Sequence, residues 1–217
     1  MKSDYEVIRA DNIREYGEGT RHLEFLGQLY SDRTHFVYEL LQNAEDKGAK
    51  QVKFDLFLDR LEFLHDGSPF TEADIRGICG VGQGTKTEDL TKIGKFGVGF
   101  KSVYAYTSSP RIHCGDEHFR IEHYVRPYQT DDVVVPDSWT TRFIFPFDND
   151  QAGDAYREIS DRLRHLNVRT LLFLSTIQEI LWHTEGGESG YYLREVKNTH
   201  EARRVTVTGI KPGVAQE

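Results

Sequence analysis

Helical spacing in some stretches and hairpin-forming alternation in others predict an α+β fold, and three stretches carry the prediction. Apolar residues recur at helical intervals over residues 34–47. Val52, Phe54, Leu56 and Leu58 alternate with Gln51, Lys53, Asp55 and Phe57, and Asp59-Arg60 then turns the chain into a second strand, 61–64, so that the two pair as a hairpin. Gly115-Asp116 joins residues 111–114 to 118–125 in the same manner.

Composition narrows the function. The 217 residues, 38% of them hydrophobic, are enough for one substantial core or for a domain with a small extension. No apolar run approaches membrane-spanning length, and Met1-Lys2-Ser3-Asp4 lacks the apolar core of a signal peptide, so a cytoplasmic location is expected and a membrane is not a partner. Cys79 and Cys114 have no ligand-like spacing and read as small buried hydrophobes in a reducing compartment. With 27 basic residues against 35 acidic, a net charge of −8, no direct nucleic-acid surface is expected. An anion bound by this chain has to be held locally, by backbone amides and one or two lysines.

Taken in order, residues 1–20 read as a strap with a short element near residues 5–10. Leu23, Leu26 and Leu29 mark a helix over 21–29, and Ser31-Asp32 can cap the next one. In that helix, 34–47, Val37, Leu40, Leu41 and Ala44 fall on one side, and Glu39, Gln42, Asn43 and Asp46 on the other. No lysine at four-residue spacing neutralises Glu39, so the polar strip is fit to coordinate and orient. A carboxylate one turn before a carboxamide suits a water and a divalent cation: Glu39 can take a proton, and Asn43 offers a neutral oxygen to Mg²⁺.

Gly48 ends this helix, and the hairpin that follows runs into His65-Asp66-Gly67-Ser68-Pro69-Phe70, where a polar side chain at the lip of the sheet can read a base edge. Thr71-Glu72-Ala73-Asp74 is a capping box opening a short helix. The glycine-rich segment 80–92 reads as a lid whose phosphate contacts are Thr85 and Lys86. Three glycines within Gly94-Lys95-Phe96-Gly97-Val98-Gly99, followed by a helix-compatible run from Phe100, describe a backbone that approaches a polyphosphate closely and turns the amide end of a helix to it.

In order and spacing, Glu39-Leu40-Leu41-Gln42-Asn43-Ala44-Glu45-Asp46, His65-Asp66-Gly67-Ser68-Pro69-Phe70 and Gly94-Lys95-Phe96-Gly97-Val98-Gly99-Phe100-Lys101-Ser102 resemble the ATP-binding boxes of the GHKL superfamily: Hsp90, gyrase B, MutL and the sensor histidine kinases. The third box is most like Hsp90; the lid and the Pro-Phe ending of the second resemble the sacsin-type branch. The resemblance covers about residues 20–147. It implies a Bergerat fold, a two-layer α/β sandwich whose mixed, mostly antiparallel sheet is covered on one face by helices.

It further implies ATP and Mg²⁺ as cofactors, Glu39 as general base and Asn43 as metal ligand. Asp46 would line the base and sugar side, and Gly97, Val98 and Gly99 would offer amides to the phosphates. Lys47, Phe70, Gly94, Lys95, Phe96 and Phe100 complete the nucleotide-binding set. A gapless match of the second box puts His65, not Asp66, where the family has its adenine-reading aspartate. Either Asp66 turns inward or His65 with water does the reading. The strand read over 139–145 resembles the last box, with Thr141 its threonine and Thr140 the second choice.

Beyond it, 148–166 has helical spacing, 171–174 is a short buried run, and 177–183, 191–196 and 205–210 are further strands. These strands begin a second module of a longer protein or pack as an extra sheet edge. The expected division is a strap (1–20), the ATP-binding domain (21–150) and a helix plus β-rich extension (151–217). The expected function is slow, Mg²⁺-dependent ATP hydrolysis that drives lid closure, with ATP-dependent homodimerisation in the complete protein. The alternative is a nucleotide-sensing module that does not hydrolyse. A histidine kinase would need a phosphoacceptor helix pair, and residues 1–30 supply none.

Overall fold

In the computed structural model of the chain, which describes residues 2–19, 21, 23–24, 32–81, 99–150, 152–198 and 203–210, the alternating segment becomes β1 (Gln51–Leu56) and its return strand β2 (Arg60–His65). Around them are β3 (Arg111–Cys114), β4 (Glu117–Glu122), β5 (Arg126–Gln129), β6 (Thr141–Pro146), β7 (Glu179–Thr184), β8 (Ser189–Asn198) and β9 (Arg203–Ile210). The nine strands form one sheet in the order β5-β4-β3-β6-β2-β1-β7-β8-β9. β1 and β7 run parallel, and every other described pairing is antiparallel. The sheet is thus mixed and mostly antiparallel, and β7 to β9 continue it at one edge, one of the two arrangements open to them from sequence.

Register makes one face apolar. Phe54 lies opposite Phe63 and Trp182, Phe63 opposite Phe143, and Phe143 opposite Ile112. Cross-strand partners share a face, so these five side chains form one row under the helices. A second row, two residues along, reads Ile180, Val52, His65, Thr141, Cys114 and becomes polar toward β3. α2 (Phe36–Asp46) lays Val37, Leu40, Leu41 and Ala44 on this face, and α4 (Ala155–His165) adds Ile159 and Leu163, all buried in the same core. The opposite face carries ion pairs, with Glu62 accepting from Arg60 Nε and Arg142 Nη2 at 2.8 Å each.

α2 is tied down along its length. Asp32 caps the 3-10 turn Arg33–His35 that leads into it, and Arg162 of α4 donates to Thr34 Oγ1 at 2.7 Å and to Asp32. Near its end the Glu45 carboxylate accepts the N–H groups of Ser175, Thr176 and Ile177 at 2.5, 2.6 and 2.9 Å, fastening the helix to the segment that enters β7. These ties keep the polar strip from rolling about the helix axis.

Several elements differ from the sequence reading. The strap contains a full helix, α1 (Tyr5–Tyr16), capped by Asp4 and held on a narrow buried line of Tyr5, Ile8 and Asn12. Leu58 does not extend β1: the N–H of Phe57 bonds the carbonyl of Arg60 at 2.8 Å, and Leu58 sits exposed in the turn. The strand read over 118–125 breaks after Glu122, because His123 and Tyr124 both adopt positive φ, 50° and 69°. The chain re-enters the sheet as β5, whose Pro127 fits an edge strand. α4 starts at Ala155, capped by Asp154, later than the helical spacing implied. In the run 171–174, Leu171 and Leu174 are buried, but Leu172 and Phe173 face outward from the 3-10 turn Thr170–Leu172. The helix read over 21–29 lies largely outside the described residues.

Candidate functional site

α2 aims Glu39 at the residue that closes the glycine-rich box. A Cβ built on Gly99 would lie 2.5 Å from Glu39 Oε1 and nearer still to Cδ and Oε2, so only glycine leaves the carboxylate its place. Gly99 has right-handed helical angles, φ −62° and ψ −44°; space, not backbone conformation, requires it. Asn43, one turn beyond Glu39, is buried, and its carboxamide has no hydrogen-bond partner among the described residues. The carboxylate, the carboxamide and the last glycine of the box therefore lie together on one side of α2.

His35 belongs to this group, and the sequence reading passed over it. Its Nε2 is 3.3 Å from Glu39 Oε1, one helical turn away. The four-residue spacing to Glu39 is the signal in the sequence, and it suits a histidine as well as a lysine. After Gly99 the helix-compatible run forms a 3-10 helix, Phe100–Ala105. Ser102 donates from both N and Oγ to the Gly99 carbonyl, at 3.1 and 2.7 Å, and all six residues of the turn are buried, leaving no solvent face along which an amphipathic helix could continue. Lys101 is fully buried. Its Nζ donates to the carbonyls of Ile78, at 2.7 Å, and Tyr124, and burial pulls its pKa down to about 8. It ties the box to the end of α3 (Glu72–Cys79).

At the other end of the strip the second box folds against the end of α2. A Cβ on Gly67 would lie 2.9 Å from both Cβ and the carbonyl oxygen of Lys47, and the Ser68 N–H donates to that oxygen at 2.8 Å. Lys47 itself pairs with Asp74 at 2.5 Å and sits over the Phe70 ring, 5.4 Å from its centroid. Asp74 also completes the capping box of α3 with Thr71, and although partial burial opposes it, Lys47 and Thr71 hold the carboxyl below its usual range. Lys47 thus braces the site and is committed to Asp74.

The side chains of His65 and Asp66 are oriented differently. Asp66 Oδ1 accepts the N–H groups of Lys50 at 2.7 Å and Gln51 at 2.9 Å, closing the turn between α2 and β1. It does not turn inward. His65 does: it is 1% exposed, between the rings of Phe63 and Phe143, with centroids 6.1 Å away on each side. Burial lowers its pKa from 6.5 to about 4. Beside it on the same face, Thr141 donates its hydroxyl to Cys114 Sγ at 3.2 Å, and the Phe70 N–H donates to the same sulfur at 3.2 Å. Cys114 and Cys79 are both free and buried, and burial pushes the Cys79 thiol up to about 12.

Asp46 is set apart. It is exposed, its pKa raised by partial burial and by Glu45, and it lines a groove of about 420 Å³ with Tyr38, Leu41, Gln42, Glu45 and Phe173. That groove lies between α2 and the turn after α4, and Glu39, Asn43 and His65 do not line it. Phe100 is buried beside Phe143 and Phe145, a core position. Thr85, Lys86, Gly94, Lys95, Phe96, Gly97 and Val98 lie outside the described residues.

The architecture is a two-layer α+β sandwich of the Bergerat type, with the acidic strip of one helix against the end of a glycine box. A crystal structure of the N terminal domain of a DNA repair protein has the same fold, with a TM-score of 0.51 at 14% identity, covering 76% of this chain and 52% of that one. A family model described as Sacsin domain matches residues 63–125. Protein NO VEIN of Arabidopsis thaliana is 29% identical over 208 residues, covering 81% of this chain and 7% of that protein. Sacsin of Homo sapiens is 32% identical over 115 residues, covering 45% of this chain and 2% of that protein. Over the matched residues the chain is thus similar to the Sacsin domain and to these two relatives. The chain spans only a small part of the length of these two relatives. Among the described residues no helix is long and apolar enough to cross a membrane.

Proposed function

We propose that this is the ATP-binding domain of an Hsp90-like GHKL ATPase, in which Mg²⁺-dependent hydrolysis is coupled to lid closure and to conformational switching of a larger cytoplasmic protein. The observation that carries the reading is the fit of Gly99 against Glu39. It brings the candidate base to the end of the backbone segment that would cradle the phosphates, an arrangement that a merely solvated helix face has no reason to keep.

The residues present fit the groups the reading requires. The Asn43 carboxamide, buried and without a protein partner among the described residues, would hold Mg²⁺ through its oxygen; the metal's contribution when bound is to neutralise phosphate charge. Glu39 accepts a proton from the attacking water. Phosphoryl transfer depends on such positioning and charge stabilisation more than on a strong nucleophile. Self-association of the complete protein on lid closure belongs to the same reading.

One observation favours a second reading, a nucleotide sensor that does not hydrolyse: His35 Nε2, 3.3 Å from Glu39 Oε1, occupies part of the carboxylate's bonding capacity. Phosphate release and calorimetric ATP binding on wild type and Glu39→Ala separate the two. The ATPase reading expects binding by both chains and turnover by wild type alone. Equal turnover by the two removes Glu39 as base, and binding without turnover in either leaves the sensor.

A further inference from the structure

The turn that follows α4 presents an aromatic ring to solvent on a fixed base. Leu171 and Leu174 are buried, and Arg194 of β8, itself buried, donates to the carbonyls of Leu171 at 3.3 Å, of Ser175 at 2.7 Å and of Leu174. From α2 the Glu45 carboxylate holds the N–H groups of Ser175, Thr176 and Ile177. Between these anchors Leu172 is 61% and Phe173 88% exposed, so a tethered turn holds two large apolar side chains out in water. Beside Phe173 lies the groove of about 420 Å³, with an apolar wall of Tyr38, Leu41 and Leu174 and room for an aromatic ring. The groove also carries one charge of each sign, Asp46 on α2 and Arg169 on the turn. Neither side chain has an ion-pair partner among the described residues, and the two do not pair with each other.

We propose that this face is an isologous interface between two copies of the chain, in which Phe173 of each copy enters the groove of the other and Arg169 of each pairs with Asp46 of the other. Under a two-fold axis one patch meets itself, so it must carry both a knob and a hole, and both signs of charge. A ring standing at the lip of its own groove meets the first requirement, and the unpaired Asp46 and Arg169 meet the second. Partial burial and Glu45 already raise the Asp46 pKa, a cost that a cation arriving from a second copy would offset. An aromatic anchor in an apolar pocket, rimmed by charge, is the arrangement that carries most of the binding energy in protein interfaces. The tethers on the turn reduce the entropy lost when it docks. Glu39 and Asn43 do not line the groove, so this contact needs no nucleotide and is separate from the self-association expected on lid closure.

Sedimentation velocity on the nucleotide-free chain, from about 1 to about 200 μM, tests the assignment. A dimer should populate within this range, and Phe173→Ser should weaken it at least about thirtyfold, the effect of losing a hot-spot aromatic. Asp46→Arg and Arg169→Asp each set like charges against one another across the axis and should be monomeric where wild type is dimeric. An equimolar mixture of these two variants restores opposite charges at both contacts and should recover the dimer, a rescue that no contact within one chain can produce. All three positions are exposed, and a melting curve on each variant establishes that it folds. A wild type that stays monomeric throughout leaves the face to a different partner and overturns the proposal. So does a dimer that Phe173→Ser does not weaken, a charge reversal that dimerises like wild type, or a mixture that stays as monomeric as its components.

Discussion

Gly99→Ala isolates the contact between the glycine box and Glu39. A methyl carbon and a carboxylate oxygen rest about 3.3–3.6 Å apart. The new Cβ would start 2.5 Å from Oε1, with Cδ and Oε2 nearer, so the carboxylate has to retreat by more than about 1 Å. What stands in the way is the far end of a flexible side chain, so stability should fall by no more than about 1 kcal/mol, the cost of one strained rotamer. For a chain of this size that is a Tm loss of about 2–4 °C. Turnover should fall much further, because a 1 Å misplacement of a reacting group costs about 10²-fold and a general base contributes about 10²–10⁴-fold. Steady-state phosphate release and a thermal melt on the same preparation give both numbers. Glu39→Gln alone and combined with Gly99→Ala completes a cycle in which the losses should not add, since both changes act through one carboxylate. Wild-type turnover in Gly99→Ala, or additive losses in the double variant, would falsify the reasoning.

Other outcomes follow from the same geometry. Asn43→Ala should abolish the gain that Mg²⁺ brings to ATP affinity, about tenfold or more, with metal-free binding retained; calorimetry with and without Mg²⁺ reads it. Gly67→Ala differs in kind from Gly99→Ala, because its Cβ would meet backbone, the Lys47 carbonyl at 2.9 Å and the Ala49 nitrogen at 3.2 Å. It should cost about 1–3 kcal/mol in urea unfolding, and a neutral result would mean that the two segments are not packed this tightly. His65 titrates near 4 in the folded chain against 6.5 ordinarily. As pH falls the unfolded chain takes up this proton first, so stability should drop through the window from 6.5 to 4, by up to about 3 kcal/mol from this residue. His65→Gln should flatten that part of the pH–stability curve, and an unaltered slope would assign the effect elsewhere.

The helix around Glu39, the central hairpin and the capping box at Thr71 were legible because each depends on local periodicity or turn chemistry. Asn43 and Gly99 were legible through the spacing of the boxes. What escaped the sequence reading depends on distant partners. α1 is mostly polar along its length, and only its docking on the β5 edge shows that Tyr5, Ile8 and Asn12 form its buried line. Positive φ at His123 and Tyr124 has no glycine to announce it, so the break between β4 and β5 stayed hidden. The turning of His65 inward and Asp66 outward was undecidable from order alone, since period-two alternation allows either residue the inner face. The backbone amides of Lys50 and Gln51, which claim Asp66, settle it.

The pairing of β1 with β7 has a bearing on how the chain is made. β1 lies at the middle of the sheet and emerges early in synthesis, yet its parallel neighbour is translated only after β2 to β6 and α4. Until then one margin of β1 is bare, with the row of Val52 and Phe54 uncovered on that side. Contacts that close such long loops form slowly. A ribosome-bound intermediate that ends before residue 179 would therefore hold a sticky ribbon that helper proteins must shield, and a cut placed near residue 150 would make that liability permanent.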